Sequence, residues 1–416
     1  MNWKTKSRRS WGRLGMKSEW KTEILEHVCQ LITDGAHNSP KSVESGEYMA
    51  SVKDFTDYGL DFSKCKLISE NDYNLLKKQG CVPEINDILV GKDGARFFED
   101  IIIYKQLERP ALLSSIAILR PDQSIITPEF LYYTLRSPSV RQNVRENYGS
   151  GSAIPRIVLK DFKRMPISFP SIVEQRRITS ILLVLDQKIQ LNNEINKNLE
   201  ALEQAYFCNL FITNANSNWR YGTLSDLGTI VGGGTPSKKH PEYYAKYDIP
   251  WITPKDLSID RSKFISRGEN DISELGFSNS SVTKMPKGTI LFSSRAPIGY
   301  IAIALNTVTT NQGFKSVIPN ENVGSAFMYF LLKQALPTIE GMASGSTFKE
   351  ISGSGMKSVP VVIPDDETLQ NFSEFCIPLF EQQIILEAEN RRLSSVRDIL
   401  LPKLMSGKID VSNIDL

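Results

Sequence analysis

The chain is written twice. Trp20 and Trp219 each open a run with the same apolar spacing, Leu25, Val28, Leu31 and Ile32 against Leu224, Leu227, Ile230 and Val231. Further on, SVKDF (51–55) answers TPKDL (253–257), NDILV (86–90) answers KGTILF (287–292), and EFLYYTL (129–135) answers AFMYFLL (326–332). From the SGS at 150–152 and its twin at 344–346 the register holds without a gap through Lys163/Lys357, Pro166/Pro360, Pro170/Pro364, Leu185/Leu379, Asn196/Asn390 and Leu199/Leu393 to Leu210/Leu404. An ordered series of this length is a duplication, and it constrains the fold more than any single motif. Each copy of roughly 200 residues is long enough to bury a core of its own.

Both copies read in the same order. Short β-rich runs broken by Gly, Pro and Asn come first, and a long helical segment follows. Before the first helix, Ser171 is placed as N-cap with Glu174 three residues on. Ile178, Ile181, Leu185, Ile189, Ile195, Leu199, Leu202, Tyr206 and Leu210 then recur in steps that suit a coiled-coil seam. Over about 174–211 such a helix is roughly 55–60 Å long at 1.5 Å per residue. The second copy runs from about Asp366 to Ser406, stops at Gly407, and has its seam at Leu369, Phe372, Cys376, Leu379, Ile385, Leu393, Val396, Leu400 and Leu404. Pro378 lies inside it and is expected to kink or loosen that turn. Asn192 falls on the first seam, where it either fixes register as a buried amide or turns outward.

The expected architecture is α+β: two similar β-rich domains joined by two long antiparallel coiled-coil helices about a pseudo-two-fold axis. The divisions are a basic extension (1–19), a first domain (20–170), a first helix (171–212), a second domain (213–364), and a second helix with tail (365–416).

Composition limits the chemistry. The stretch ITSILLVL (178–185) is far too short to cross a bilayer, so no membrane partner is expected. Five scattered cysteines form no CxxC pair and three histidines form no HExxH, which argues against a structural zinc site and suits a reducing cytoplasm. The extension carries Lys4, Lys6, Arg8, Arg9, Arg13 and Lys17 with no apolar core after it, unlike a secretory signal. Three glycines, Gly232–Gly234, invite a phosphate-loop reading, but Thr235-Pro236 follows in place of Gly-Lys-Ser/Thr, and Pro236 has no N–H to offer an anion. No nucleophile elbow and no nucleotide fingerprint occur, so binding without a cofactor is expected rather than catalysis. Net charge is only +2. Any nucleic-acid grip is therefore local, or shared with a partner.

Several stretches resemble the signatures of type I restriction–modification specificity subunits. They are GGTPSKKHPEYYAKYDIPWITPKDL (233–257), GTILFSSRAPIGYIAIAL (288–305), TNQGFKSVIP (310–319) and LLPKLMSGKIDV (400–411). The first half carries weaker versions at 34–55 and 86–100, and the likeness covers essentially everything from Trp20 onward. It implies two target recognition domains, each reading half of a split double-stranded DNA sequence, with the helices as spacer and docking surface. It also implies a subunit that is itself noncatalytic, with methylation subunits (two) and restriction subunits as partners.

Features common to both halves cannot tell two half-sites apart. Lys53-Asp54 and Lys255-Asp256 recur in register and are read as scaffold or phosphate-positioning groups. Base reading belongs where the copies diverge: His37, Asn38, Lys41, Lys92 and Arg96 in the first, Lys238, Lys239, His240, Tyr243 and Arg295 in the second, with Arg295 also suited to a phosphate. The alternative from another class is a two-headed adaptor that binds polypeptide. Basic concavities favour DNA; apolar grooves favour peptide.

Overall fold

The computed structural model describes residues 20–94, 96–148, 156–345 and 349–414. The basic extension and the SGS at 150–152 lie outside these. The chain divides into two compact units, unit 1 up to Gln190 together with Arg392–Leu416, and unit 2 from Leu191 to Arg391.

In unit 1 an antiparallel sheet has the order Cys29–Asp34, Ile116–Pro121, Ile88–Gly91, Ile101–Ile103. A second sheet sets Glu47–Ala50 between Lys66–Ile68 (antiparallel) and Ala111–Leu112 (parallel). Strand Ile88–Gly91 is buried on both faces, which explains its unbroken apolar run. Ile88 and Val90 enter one core with Phe130 and Phe162, and Leu89 enters another with Tyr104 and Leu112. A short ribbon, Lys21–Ile24 against Pro166–Phe169, closes the unit.

Unit 2 repeats this frame. Its main sheet has the order Gly228–Gly232, Lys315–Pro319, Ile290–Ser294, Ile298–Ala304, Phe264–Ile265. Ile249–Ile252 pairs in parallel with Thr309–Thr310, and Arg220–Thr223 forms the ribbon with Pro360–Ile363. The repeated apolar spacing has a common cause: Leu25, Val28, Leu224 and Leu227 are all buried on short helical turns that lead into the first strand of each main sheet. The glycine run is also structural. A Cβ at Gly233 would lie 1.9 Å from Asn311 O, and one at Gly35 would lie 2.2 Å from Leu112 O, so each position accepts only glycine.

The first long helix spans Ile172–Cys208, with the Ser171 hydroxyl accepting from Glu174 N at 3.4 Å. The second spans Asp366–Leu404 without interruption at Pro378, and Gly407 turns away with φ +65°. Within unit 1, Ile178 and Leu182 share a core with Leu401 and Leu404, and Asp186 binds Arg397 at 2.8 Å. Within unit 2, Asn192 meets Asn390, Asn196 meets Gln383, and Phe207 meets Phe372. One number falls as the other rises, so in unit 2 the helices run antiparallel.

The helices face differently from the expected seam. Leu202, Ile385 and Val396 are exposed, at 50%, 60% and 46%. Leu182, Phe207, Leu386 and Leu401 are buried in their stead, beside polar Asp186, Asn192, Glu203, Gln383 and Glu387. Asn192 is fully buried and donates to Glu389 Oε2 at 2.8 Å and Asn390 Oδ1 at 2.9 Å, which resolves the two readings in favour of the inward one.

One of these polar groups makes stability depend on pH. Glu387 accepts from Lys263 N at 2.9 Å and Phe264 N at 3.3 Å, yet burial pushes its carboxyl up to about 7 from 4.5. Nearby Asp260 pushes the same way, while the backbone bonds and Arg391 oppose. Between those two pH values the folded state holds a proton that the unfolded chain has lost. Stability contributed by the protonated form is therefore full near pH 4.5 and declines as pH rises to about 7, by at most about 3 kcal/mol. Glu387→Gln should flatten this slope in denaturation midpoints measured at pH 5 and pH 7.5. An unchanged slope would assign the dependence elsewhere.

Candidate nucleic-acid interface

At one end of the main sheet in unit 2, three loops surround an open concavity of about 750 Å³. The loop after Gly228–Gly232 contributes Thr235 and Lys238, and the turn after Ile290–Ser294 contributes Arg295. The segment between Thr309–Thr310 and Lys315–Pro319 adds Asn311 and Gln312. Lys255 stands on the helix Pro254–Ile259 at the rim. Polar donors thus converge from segments that the β-frame brings together.

The Lys-Asp pair has two separate tasks. Asp256 Oδ2 accepts from Thr253 N and Thr253 Oγ1, both at 2.7 Å, and its Oδ1 accepts from Glu269 N at 2.8 Å. Asp54 does likewise for Ser51 N at 2.7 Å. The aspartates are capping residues that shape the turn. Lys53 is exposed; Lys255, 65% exposed, pairs with Glu269 Oε2 at 2.7 Å, a bond that holds its ammonium above the ordinary lysine range.

Arg295 Nη1 lies 3.3 Å from Glu350 Oε2, and Lys315 Nζ lies 3.4 Å from Glu350 Oε1. Lys238 lines the concavity, whereas Lys239, His240 and Tyr243 occupy the continuation of its loop, with His240 stacked on Tyr243 at 4.7 Å and bonded to Glu242 Oε1 at 3.0 Å. The reading of single residues missed Thr235, Asn270, Asn311 and Gln312. Thr235 Oγ1 donates to Gln312 Oε1, which orients that amide at the mouth. The signal for Asn311 and Gln312 was present in TNQG (310–313), because an adjacent Asn-Gln pair supplies amides of the kind that read adenine edges.

In unit 1 the corresponding loops hold a different set. Asp34 joins two of the candidates, with Lys92 Nζ 3.2 Å from its Oδ2 and His37 Nε2 3.3 Å from its Oδ1. Lys92 is buried, so its charge supports this turn from within rather than facing solvent. Asn38 and Lys41 are exposed on the loop leading to Glu47–Ala50. Arg96 is exposed and paired with Asp100 at 2.7 Å. That bond holds its guanidinium above the ordinary arginine range. Surface pairs like Arg96–Asp100 and Lys255–Glu269 are worth little and open readily to a competing phosphate or base.

Among the described residues, no group of three His, Cys, Asp or Glu could hold a metal ion. Burial pushes the thiols of Cys29, Cys65 and Cys376 up to about 12, far from the range of a thiolate nucleophile. No helix among the described residues is long and apolar enough to cross a membrane.

The family described as "Type I restriction modification DNA specificity domain" matches the chain twice, at residues 17–201 and 216–393. The Type I restriction enzyme MjaIX specificity subunit of Methanocaldococcus jannaschii is 45% identical over 158 residues, 38% of this chain and 36% of that protein. The Type I restriction enzyme HindI specificity subunit of Haemophilus influenzae is 25% identical over 385 residues, covering 74% of this chain and 83% of that protein. The crystal structure of a type I restriction–modification S subunit from M. genitalium superposes with a TM-score of 0.56 at 18% identity, covering 94% of this chain and 97% of that one, and so shares its fold. Two family matches, one in each copy of the duplicated frame, account for most of the sequence. The chain belongs to the family of type I restriction–modification DNA specificity domains.

Proposed function

We propose that this chain is the noncatalytic, sequence-reading subunit of a type I restriction–modification complex acting on cytoplasmic DNA. Each recognition domain, 20–170 and 213–364, reads one half of a split target, and partner subunits methylate and cut. The observation that carries this reading is the concavity of unit 2, where Lys238, Lys255 and Arg295 surround the amides of Asn311 and Gln312. Cations grip phosphates and amides or guanidinium groups read base edges. The three cations of the concavity, against the single carboxylate of Glu269, favour DNA over the polypeptide ligand of an adaptor.

The long helices supply the docking surface. In unit 1, Val173 and Val184 stand 54% and 63% exposed and eleven residues apart, which returns them to nearly the same helix face. In unit 2, Leu191 and Leu202, each 50% exposed, repeat that spacing, and the second helix exposes Ile377 and Ile385. Apolar side chains in a row on a surface helix fit the helices of methylation subunits.

The test is co-purification with methylation subunits, followed by sequencing of the methylated DNA. A two-part motif is expected, and its absence from an assembled, active complex would overturn the proposal. Single substitutions divide the roles further. Arg96→Ala or Lys239→Ala should relax one base pair in one half-site, at about 1–3 kcal/mol of discrimination. Lys255→Ala should weaken binding to all sequences alike and reduce the salt slope by roughly one. Binding titrations at several salt concentrations separate the two outcomes, and equal, sequence-independent losses from all three would leave no base reader among them.

A further inference from the structure

Backbone pairing aligns the two units residue by residue. Ile88 pairs with Leu119 as Ile290 pairs with Val317. Ile157 N donates to Lys92 O at 3.0 Å as Ile351 N donates to Ser294 O at 3.1 Å. One residue further, an isolated bridge joins Asp93 to Arg156 in unit 1, and Arg295 to Glu350 in unit 2. Equivalent backbone positions therefore carry acid and base in one unit, base and acid in the other.

A scaffold does not require this inversion. Positions that shape the frame are kept, as in Gly35/Gly233 and the capping aspartates Asp54/Asp256. Positions at the mouth are not: His37 stands where unit 2 has Thr235, and Ser114 where it has Gln312. Arg295 lines the concavity of unit 2. Its twin Asp93 has a side chain 32% exposed, with the Oδ1 turned inward, buried and without a hydrogen-bond partner. Lys92 Nζ lies 3.9 Å from that oxygen, an ion-pair distance beyond hydrogen-bonding range, and is held more closely by Asp34 at 3.2 Å. On the DNA-reading face proposed above, the exposed part of the Asp93 carboxylate is electrostatically unfavourable beside phosphates unless a donor on a base edge meets it.

We propose that Asp93 is a base-reading residue of unit 1, the charge-inverted counterpart of Arg295 in unit 2. Asp93 accepts from the exocyclic amino group of a cytosine, and Arg295 donates to the O6 and N7 of a guanine. The half-sites are then read with opposite hydrogen-bond polarity at this position, through a G·C pair in each. This rests on the DNA-reading function proposed above.

The experiment compares complexes of the full chain with its methylation subunits, carrying Asp93→Ala, Asp93→Asn or Arg295→Ala. It measures methylation rates on duplexes substituted at single positions of the wild-type motif. Asp93→Ala should relax one G·C pair in one half-site, with discrimination falling about 5- to 150-fold, and leave the other half intact. Arg295→Ala should do the same in the opposite half. Asp93→Asn, nearly isosteric, should shift tolerance toward adenine and serves if the alanine variant does not assemble. An assembled Asp93 variant with an unchanged motif, or with equal loss on every duplex, overturns the inference while leaving the DNA-reading function standing. If the wild-type complex yields no two-part motif, the DNA-reading function fails, and this inference with it.

Discussion

Lys263→Met should destabilise unit 2 by about 3–5 kcal/mol, the cost of leaving a buried ion without its partner. Lys263 is 6% exposed and its Nζ donates to Glu203 and, at 3.0 Å, to Gln383 Oε1. The rings of Phe380, Phe330 and Tyr329 surround the ammonium at 4.2, 5.0 and 5.1 Å. Glu203 is fully buried and its second oxygen has no partner, so Lys263 is the charge that keeps it tolerable. Burial pushes the Lys263 amine down and the Glu203 carboxyl up, each opposed by attraction to the other. Removing both should cost far less than removing one, because a pair replaced by apolar groups of similar volume is often neutral. Chemical denaturation of the single variant and of the double variant Lys263→Met/Glu203→Leu measures the difference. A neutral single variant would mean that the pair is solvated in the folded protein.

Exchanging residues 20–170 for the equivalent unit of a relative should replace one half of the recognised sequence and preserve the other. The expectation follows from the duplication: each unit has its own sheets and core, and each ends its β-rich part with its own closing ribbon. The core limits which relatives can be used. Ile178, Leu182, Leu401 and Leu404 pack into the same cluster as Phe130 and Phe162, so the donor unit must present a matching apolar face to those helix residues. A mismatch there would cost stability rather than specificity, at about 2–5 kcal/mol for each large side chain left beside a cavity. Sequencing methylated DNA from cells that carry the chimaera reads the result. If both halves of the motif change together, the units do not read independently.

What the chain determined by itself is what local chemistry and repetition can carry. The duplication, the β-rich runs before each helix, the Ser171 cap and the stop at Gly407 all follow from residues close in sequence or from a register repeated in both copies. The facing of the helices was beyond that reach. Apolar periodicity assumes that the inward face is apolar, but here Asp186, Asn192, Glu203 and Glu387 are inward. Their partners Tyr133, Arg397, Asn390 and Lys263 are supplied from distant positions, and Leu202, Ile385 and Val396 are left outside. The candidate interface divides in the same way. Sequence divergence between the copies pointed to Lys238 and Arg295, which the fold brings to one hollow with Lys255, whereas Lys92 turned inward to Asp34. Asp93 could not be singled out before the bridges to Arg156 and Glu350 aligned it with Arg295. A strand register, not a spacing in the chain, makes those two residues equivalents, and only tertiary pairing establishes a register.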